Sequence, residues 1–450
     1  MLNIAAVANL RDKLRGPLLT PDAPDYDATR RVFNGMVNKH PALIARCTSP
    51  SDVVACVNFA RDHDVLLSVR GGGHNFAGKA VCDGGLMLDF TLMKAIKVDP
   101  TRRVARAHAG LNLGEFDRET QKFGLATTLG VATTTGISGL TLGGGYGYLA
   151  GKYGLACDNL TWVEIVTADG KIRACSAEEN PDLFWGLRGA GANFGIVTEL
   201  QYTLHPVSTV LAGVIFYPLG SEVFRFYDEF SRSAPDELTM IGAAMTAPNG
   251  APAFATVVCY CGDPAVGEKI LKPLRTFGTP IADLIQQRPY LEIQSLFDPI
   301  NPPGRRYYNK AHNISKVDAG AIDTVFHHMS KAPTPNSSIA LQQLHGAAGR
   351  VPTSDTAFPH RYDHHVAWIT PIGDDPADDV KIIRWAREFW EGLKPFVDRA
   401  VYVNALEDDL EEGERPVREV YGANYERLRA LKRKFDPSNL FSQNSNIKPN

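Results

Sequence analysis

The residues best suited to chemistry begin at Ser68-Val69-Arg70-Gly71-Gly72-Gly73-His74-Asn75-Phe76-Ala77-Gly78, directly after the apolar run Val65-Leu66-Leu67. A short leucine- and valine-rich run that ends in three glycines reads as a strand breaking into a tight loop. Without Cβ atoms, such a loop can turn successive backbone N–H groups inward and make a nest for a diphosphate. His74 then stands beside whatever the phosphates carry; in an ordinary turn it is a surface histidine. A second glycine cluster runs from Thr133-Thr134-Thr135-Gly136-Ile137-Ser138-Gly139 to Gly143-Gly144-Gly145-Tyr146-Gly147-Tyr148, and a third from Leu183 to Val197. None has the glycine register of a Rossmann fingerprint or the Gly-Lys-Ser/Thr end of a Walker A loop.

The elements that must position these loops change character near residue 205. Before it, short apolar strands such as Leu86–Phe90 and Val163–Thr167 alternate with helical patterns, one starting at Pro50 with Ser51 or Asp52 as its cap. After His205-Pro206, strands such as Val210–Tyr217 alternate with amphipathic helices such as Glu222–Ser233, and Pro299–Arg306 reads as a loop over a pocket. At 450 residues the chain is expected to split into two domains. Its 47 basic and 50 acidic residues nearly balance, so no field favours nucleic acid or an anionic membrane. The acidic run Glu407–Glu412 is expected to be a solvated loop or helix start. The N-terminus has no basic region before its apolar part, and no apolar run reaches membrane-spanning length, so cytoplasm is the expected location. Seven cysteines without a C-x-x-C pair imply reduced, buried thiols, with Cys259 and Cys261 on one side of a strand. The run His360-Arg361-Tyr362-Asp363-His364-His365 has no zinc spacing; it is expected to be a solvated loop, and no metal is expected.

The order and content of the glycine clusters resemble the FAD-binding domain of the vanillyl-alcohol-oxidase and berberine-bridge-enzyme flavoproteins. The C-terminal run Tyr421–Leu428, Leu431–Phe441 and Asn446-Ile447-Lys448-Pro449 is similar to the segment that closes berberine-bridge-type oxidases. These motifs cover about residues 20–205 and 400–450 and resemble bacterial members most, among them 6-hydroxynicotine oxidases and the enterocin favorskiiase. The resemblance implies an α+β protein of two lobes. Residues 1–205 form the FAD-binding domain, 206–400 a substrate domain of antiparallel sheet backed by helices, and 401–450 return to the first. The flavin lies between the lobes, where ligand sites prefer to form. Residues implied to hold it are Arg70, Gly71, Gly72, Gly73, His74, Asn75 and Gly78; Gly136, Ser138, Gly139, Gly143, Gly144, Gly147 and Tyr148; and Gly195, Val197, Tyr402, Asn404 and Asn444.

By the same resemblance His74 bonds to the 8α carbon of the flavin, which raises its reduction potential and prevents its loss. Relatives with a second link carry Gly-Val-Cys where this chain has Gly130-Val131-Ala132, so no cysteinyl link is expected. Thr135 stands where plant relatives carry an aliphatic residue; both a packing role and the support of a flavin-N5-oxide stay open. Tyr148 is expected beside the substrate, and Tyr402 and Asn404 match the family's Tyr-x-Asn element. Two departures matter: Ala405 replaces a tyrosine base, and Ala340 a glutamate base. On the strand Ile339–Gly346 one parity faces the flavin, and Gln342, Gln343, Tyr402 and Tyr148 are the groups left to orient a substrate. A tyrosine would need its pKa of about 10 lowered to act as a base. The expected activity is that of an oxidase: hydride from a small amine, alcohol or heterocycle passes to flavin, and dioxygen reoxidises it to give hydrogen peroxide. A flavin-N5-oxide oxygenase and a catalytically silent flavin-binding protein are the rival readings. Partners are a small molecule and dioxygen, in a monomer or homodimer.

Overall fold

The computed structural model describes residues 3–247, 249–398, 400–406 and 415–450; Met1, Leu2 and the acidic run Glu407–Glu412 lie outside them. Strand Leu67–Arg70, which feeds the first glycine loop, pairs in parallel with Leu86–Asp89, and that strand pairs in parallel with Leu43–Arg46. The middle strand is buried along its whole length, as a parallel strand covered on both faces must be. Its one charge, Asp89, is fully buried and held by Arg70 at 2.8 Å and Arg46 at 3.2 Å. A buried carboxylate so paired ties the three strand ends together, and it fixes where the glycine loop departs. Beside this sheet lie five antiparallel strands, in the order Ile96–Asp99, Val104–His108, Ile196–Thr203, Leu160–Val166 and Ile172–Cys175. The helix expected near residue 50 is Pro50–Asp62, but its cap is Ser49 rather than Ser51 or Asp52. The Asp52 carboxylate accepts instead from the Thr48 and Arg15 amides, at 2.8 Å each.

The central part of the chain builds an eight-stranded antiparallel sheet in which Ser338–Leu344 lies between Leu238–Thr246 and His364–Thr370. Helices Ser221–Arg232, Pro264–Thr276, Ala319–Met329 and Asp379–Leu393 send apolar side chains such as Phe224, Leu271, Ile322 and Phe389 onto one face. The period-two alternation of a strand then sorts its residues. Ile339 and Leu341 enter the helix-backed core, while Ser338, Ala340 and Gln342 face the opposite way into a cavity. Gln343 belongs to the helix side, where its amide donates to the Ser231 carbonyl at 2.6 Å, so it does not orient a substrate.

The C-terminal residues Val420 to Ile447 join the core that starts at Leu10, not the sheet they follow in sequence. Lys432 is the pin. Its ammonium is fully buried and donates to Asp436 at 2.7 Å and to the Asn193 and Phe441 carbonyls at 2.9 Å. This latch sets Gln443–Ser445 beside Gly191–Asn193 on the cavity wall. No helix among the described residues is long and apolar enough to cross a membrane.

The histidine run after Phe358-Pro359 is not a solvated loop. His360, Arg361, His364 and His365 are all buried, because the strand His364–Thr370 begins within the run and packs into the sheet. The Arg361 charge is met by Asp158 at 2.7 Å, and each ring finds a neutral partner: Val401 O for His360, Tyr362 O for His364 and Ser231 Oγ for His365. Among the described residues no group of three or more His, Cys, Asp or Glu could hold a metal ion. Burial disfavours the charged imidazolium and lowers His312, His360 and His364 to about 4 and His365 to about 3. Unfolding releases these rings to the ordinary value near 6.5, so the unfolded chain takes up protons first and stability falls as pH drops from about 6.5 toward 4. Asp117, raised to about 7 by burial, works in the opposite sense over the same interval, but it is one group against these four histidines and His74 and His205, which burial lowers to about 4 as well, so the net effect is a loss. Thermal denaturation should therefore show Tm falling steadily over that range; a flat Tm contradicts the buried, neutral histidines.

Candidate functional site

Between the two glycine loops and the free face of the large sheet lies a cavity of about 1080 Å³. That is at the upper end of the range for small-molecule sites, which suits a dinucleotide with room beside it. Its tightest construction is where the loops meet. A Cβ on Gly72 would sit 2.2 Å from the Gly136 nitrogen, and one on Gly136 would sit 2.3 Å from the Gly72 nitrogen. Backbone is therefore packed on backbone, and neither position admits a side chain. Gly73 continues the loop at φ +71°, in the left-handed region that suits glycine. Gly139 differs: no atom lies within 4 Å of where its Cβ would be, so the wall there is bare main chain facing open space.

His74 is placed at this wall by contacts on each ring atom that could bond. Nε2 lies 2.8 Å from Thr134 Oγ1, and Nδ1 lies 3.4 Å from Thr135 Oγ1. One face stacks on Phe33 at 4.0 Å between centroids, and Phe33 stacks in turn on Tyr307 at 4.7 Å. Burial lowers the ring's pKa to about 4, so at neutral pH the histidine keeps a free lone pair. The neighbouring Thr133 is clamped across the lobes, its amide donating to Asp298 Oδ1 at 3.0 Å and its hydroxyl to Oδ2.

Of the residues expected to hold the cofactor, Gly71, Gly72, Gly73, His74, Asn75, Gly136, Ser138, Gly139, Gly143, Gly195, Val197, Tyr402, Asn404 and Asn444 line the cavity, as do Thr135 and Gln342. Arg70, Gly78, Gly144, Gly147 and Tyr148 do not. Arg70 turns back to the Asp89 carboxylate and to the Arg31 carbonyl. Gly78, at φ +70°, closes a turn against Val37. Gly144 packs on Phe358 and Gly147 on the Leu129 carbonyl, which makes both structural spacers. Tyr148 is fully buried among Leu149, Val210 and Tyr290, and its hydroxyl has no partner among the described residues. Tyr146 lines the cavity in its place. Its hydroxyl lies 3.1 Å from His364 Nε2, and because His364 Nδ1 faces the Tyr362 carbonyl at 2.7 Å, Nδ1 carries the hydrogen and Nε2 accepts from Tyr146. Residue counting cannot choose between the two tyrosines; Gly144 and Gly145, both at positive φ, re-aim the chain just before Tyr146. Phe33 and Trp368 were also not singled out from the sequence, since neither stands in a motif.

The Tyr402 hydroxyl accepts from the Gly145 amide at 3.1 Å and from Asn404 Nδ2 at 2.8 Å. Burial nonetheless pushes its pKa well up, so it stays protonated near neutral pH. Ala340 and Ala132 line the cavity with methyl groups, and Ala405 is buried behind it. No aspartate or glutamate lies among the described residues that form the wall. A bare glycine cradle, a neutral histidine at its end and a buried Asn444 Oδ1 without a partner among the described residues together fit a flavin dinucleotide: main-chain N–H groups for its phosphates, acceptors and a nucleophilic ring for its flavin end.

Comparison with known proteins agrees with this geometry. The FAD binding domain family matches residues 41–176, and the family described as berberine and berberine like matches residues 401–448. An FAD-linked oxidoreductase of Dictyostelium discoideum is 34% identical over 446 residues, covering 97% of this chain and 96% of that one. The (R)-6-hydroxynicotine oxidase of Paenarthrobacter nicotinovorans is 33% identical over 448 residues, covering 97% of each. The crystal structure of 6-hydroxy-D-nicotine oxidase from Arthrobacter nicotinovorans superposes with a TM-score of 0.88 at 30% identity, over 97% of this chain and 98% of that one. With the α+β fold, the cradle and the relatives in agreement, the chain belongs to the berberine-bridge-like family of FAD-linked oxidoreductases.

Proposed function

We propose that this protein is an oxidase that holds one FAD through a single bond from His74 and oxidises a small, uncharged organic molecule, with dioxygen as the final acceptor. When bound, the flavin supplies the acceptor for a hydride from a substrate C–H and the means of passing the electron pair to dioxygen as hydrogen peroxide. The observation that carries the reading is the neutral His74 ring, held by Thr134 and Thr135 at the end of a glycine cradle. Its lone pair is available for a bond to the flavin 8α carbon, and Ala132 leaves no sulfur for a second link. The relatives' names support oxidase chemistry: one acts on 6-hydroxynicotine, and a chitooligosaccharide oxidase of Gibberella zeae is 28% identical.

The chain's own residues define what the substrate must do for itself. Tyr402 retains its proton, Tyr146 donates to His364, and Ala340 and Ala405 offer no base. A substrate that releases hydride with help from its own lone pair, such as a neutral amine or a ring nitrogen, suits such a wall. The sheet side of the cavity, with Val214, Phe216, Ile241, Val257 and Phe297, takes apolar surface from it.

Two outcomes are expected. Acid precipitation of the parent protein should leave the yellow colour in the pellet, and His74→Ala should release all of it to the supernatant; free FAD from the parent contradicts the link. With an oxidisable substrate found by anaerobic bleaching, the parent should form hydrogen peroxide in step with product. Thr135→Val, close in volume but without the hydroxyl, should keep covalent FAD and hold kcat within about threefold, since the lost contact is a long one beside a neutral ring. Oxygen from labelled dioxygen appearing in the product, and lost in Thr135→Val, would instead establish the oxygenase reading.

A further inference from the structure

The free face of the large sheet carries few polar groups, and one pair of them has a fixed direction. Trp368 and Gln342 sit on neighbouring strands, where Trp368 is in register with Ala340 and Gln342 with Val366, so the two are diagonal neighbours on the cavity face. The indole Nε1 lies 3.0 Å from Gln342 Oε1. An amide has two ends of nearly equal shape, one accepting and one donating, and density alone seldom tells them apart. An indole nitrogen only donates. The Gln342 oxygen must therefore face Trp368, and its NH2 group must face away. Among the described residues that NH2 group has no protein partner, and it is not shielded from the cavity.

Trp368 is itself braced. Its ring stands edge-on to Tyr402 at 6.1 Å, with an interplanar angle of 89°, so the indole links the sheet to the C-terminal segment that borders the glycine cradle. The polar group nearest in kind, the Thr370 hydroxyl, already donates to Asn309 Oδ1 at 2.8 Å. Gln342 thus presents N–H donors open to the cavity on this face, whereas the Asn309 Nδ2, also without a partner among the described residues, is buried, and no aspartate or glutamate among the described residues lines the cavity to receive a cation.

We infer that Trp368 is a positioning residue that locks the Gln342 amide with its donors toward the substrate, so that the site selects an uncharged ring compound bearing a hydrogen-bond acceptor. This deepens the oxidase reading and rests on it for the identity of the cavity as the substrate side. A ligand with only a donor at that point leaves the Gln342 N–H groups facing another donor, which costs about tenfold or more in affinity. A cation loses in addition its hydration without gaining a counter-charge.

Calorimetric titration of the purified flavoprotein tests the lock with acetophenone as the acceptor-bearing probe, aniline as the donor and benzylammonium as the cation. Acetophenone should bind at least about tenfold more tightly than the other two. Trp368→Phe keeps a ring against Tyr402 but frees the amide to turn, so the ratio of acetophenone to aniline affinity should shrink to about threefold or less while Tm changes little. Gln342→Leu should abolish the same preference. Gln342→Glu, with one oxygen held by the indole and the other toward the cavity, should raise benzylammonium affinity about tenfold. Equal binding of the three probes by the parent, no binding of any, or an unchanged ratio in Trp368→Phe overturns the inference. Flavin content measured on the same samples separates the two claims: a colourless protein overturns the oxidase reading, while the affinity ratio still judges the orientation of Gln342.

Discussion

Everything in the site is built around the contact of Gly72 with Gly136. Two loops from separate parts of the chain meet there main chain to main chain, with no room for a Cβ on either. This closeness brings Thr134 and Thr135 to His74 and sets a strand-to-strand loop against a strand-to-helix loop as one wall of main chain. The energetic burden of so many glycines, which lose more freedom on folding than other residues, is borne by rigid supports on each side. Asp89 holds the strand ends that feed the first loop. Asp298 clamps Thr133 from the other lobe, and the buried Lys432–Asp436 pair pins the C-terminal segment that closes the rim.

The cavity this produces carries little charge: among the described residues of its wall, Lys79 is the charged side chain. Burial drives His74 down and Tyr402 up, so both are neutral near neutral pH, and no aspartate or glutamate among the described residues reaches the wall. A wall without a carboxylate to take a proton is suited to chemistry in which the hydride carries the electron pair and the substrate supplies its own push. Neutrality also explains why polar direction rather than charge is left to select the ligand, a role that falls to one amide fixed by one indole.

The glycine loops, the histidine at their end and the closing C-terminal segment were legible in the sequence because they stand in motifs of fixed residue types, above all glycine where a Cβ cannot fit. The alternation along Ser338–Leu344 was legible for the same reason that any half-buried strand is, but the sequence did not say which parity faces the cavity, so Gln342 and its neighbour Gln343 were separated only by the structure. What was not legible depends on where the chain goes next. Arg70 stands inside the motif yet points backward, because Asp89 lies opposite it across a parallel pair. Tyr148 and Tyr146 share a motif and a residue type, and the positive φ of Gly144 and Gly145, just before Tyr146, sets which ring meets the cavity. The histidines from 360 to 365 look solvated in sequence because five of the six residues there are polar or charged; the sheet buries them by giving each a neutral partner, an outcome set by strands far away in the chain.

The central claim is that this cradle holds a flavin dinucleotide by one bond from His74. The most direct measurement is the mass of the denatured, intact chain, followed by sequencing of the peptide that carries any added mass. The account expects the mass of the polypeptide plus one FAD less two hydrogens, since the new N–C bond replaces an N–H and a C–H and dioxygen takes up the electron pair, with the addition on His74 and on no cysteine. A mass equal to the bare polypeptide, or an addition on any other residue, would contradict it.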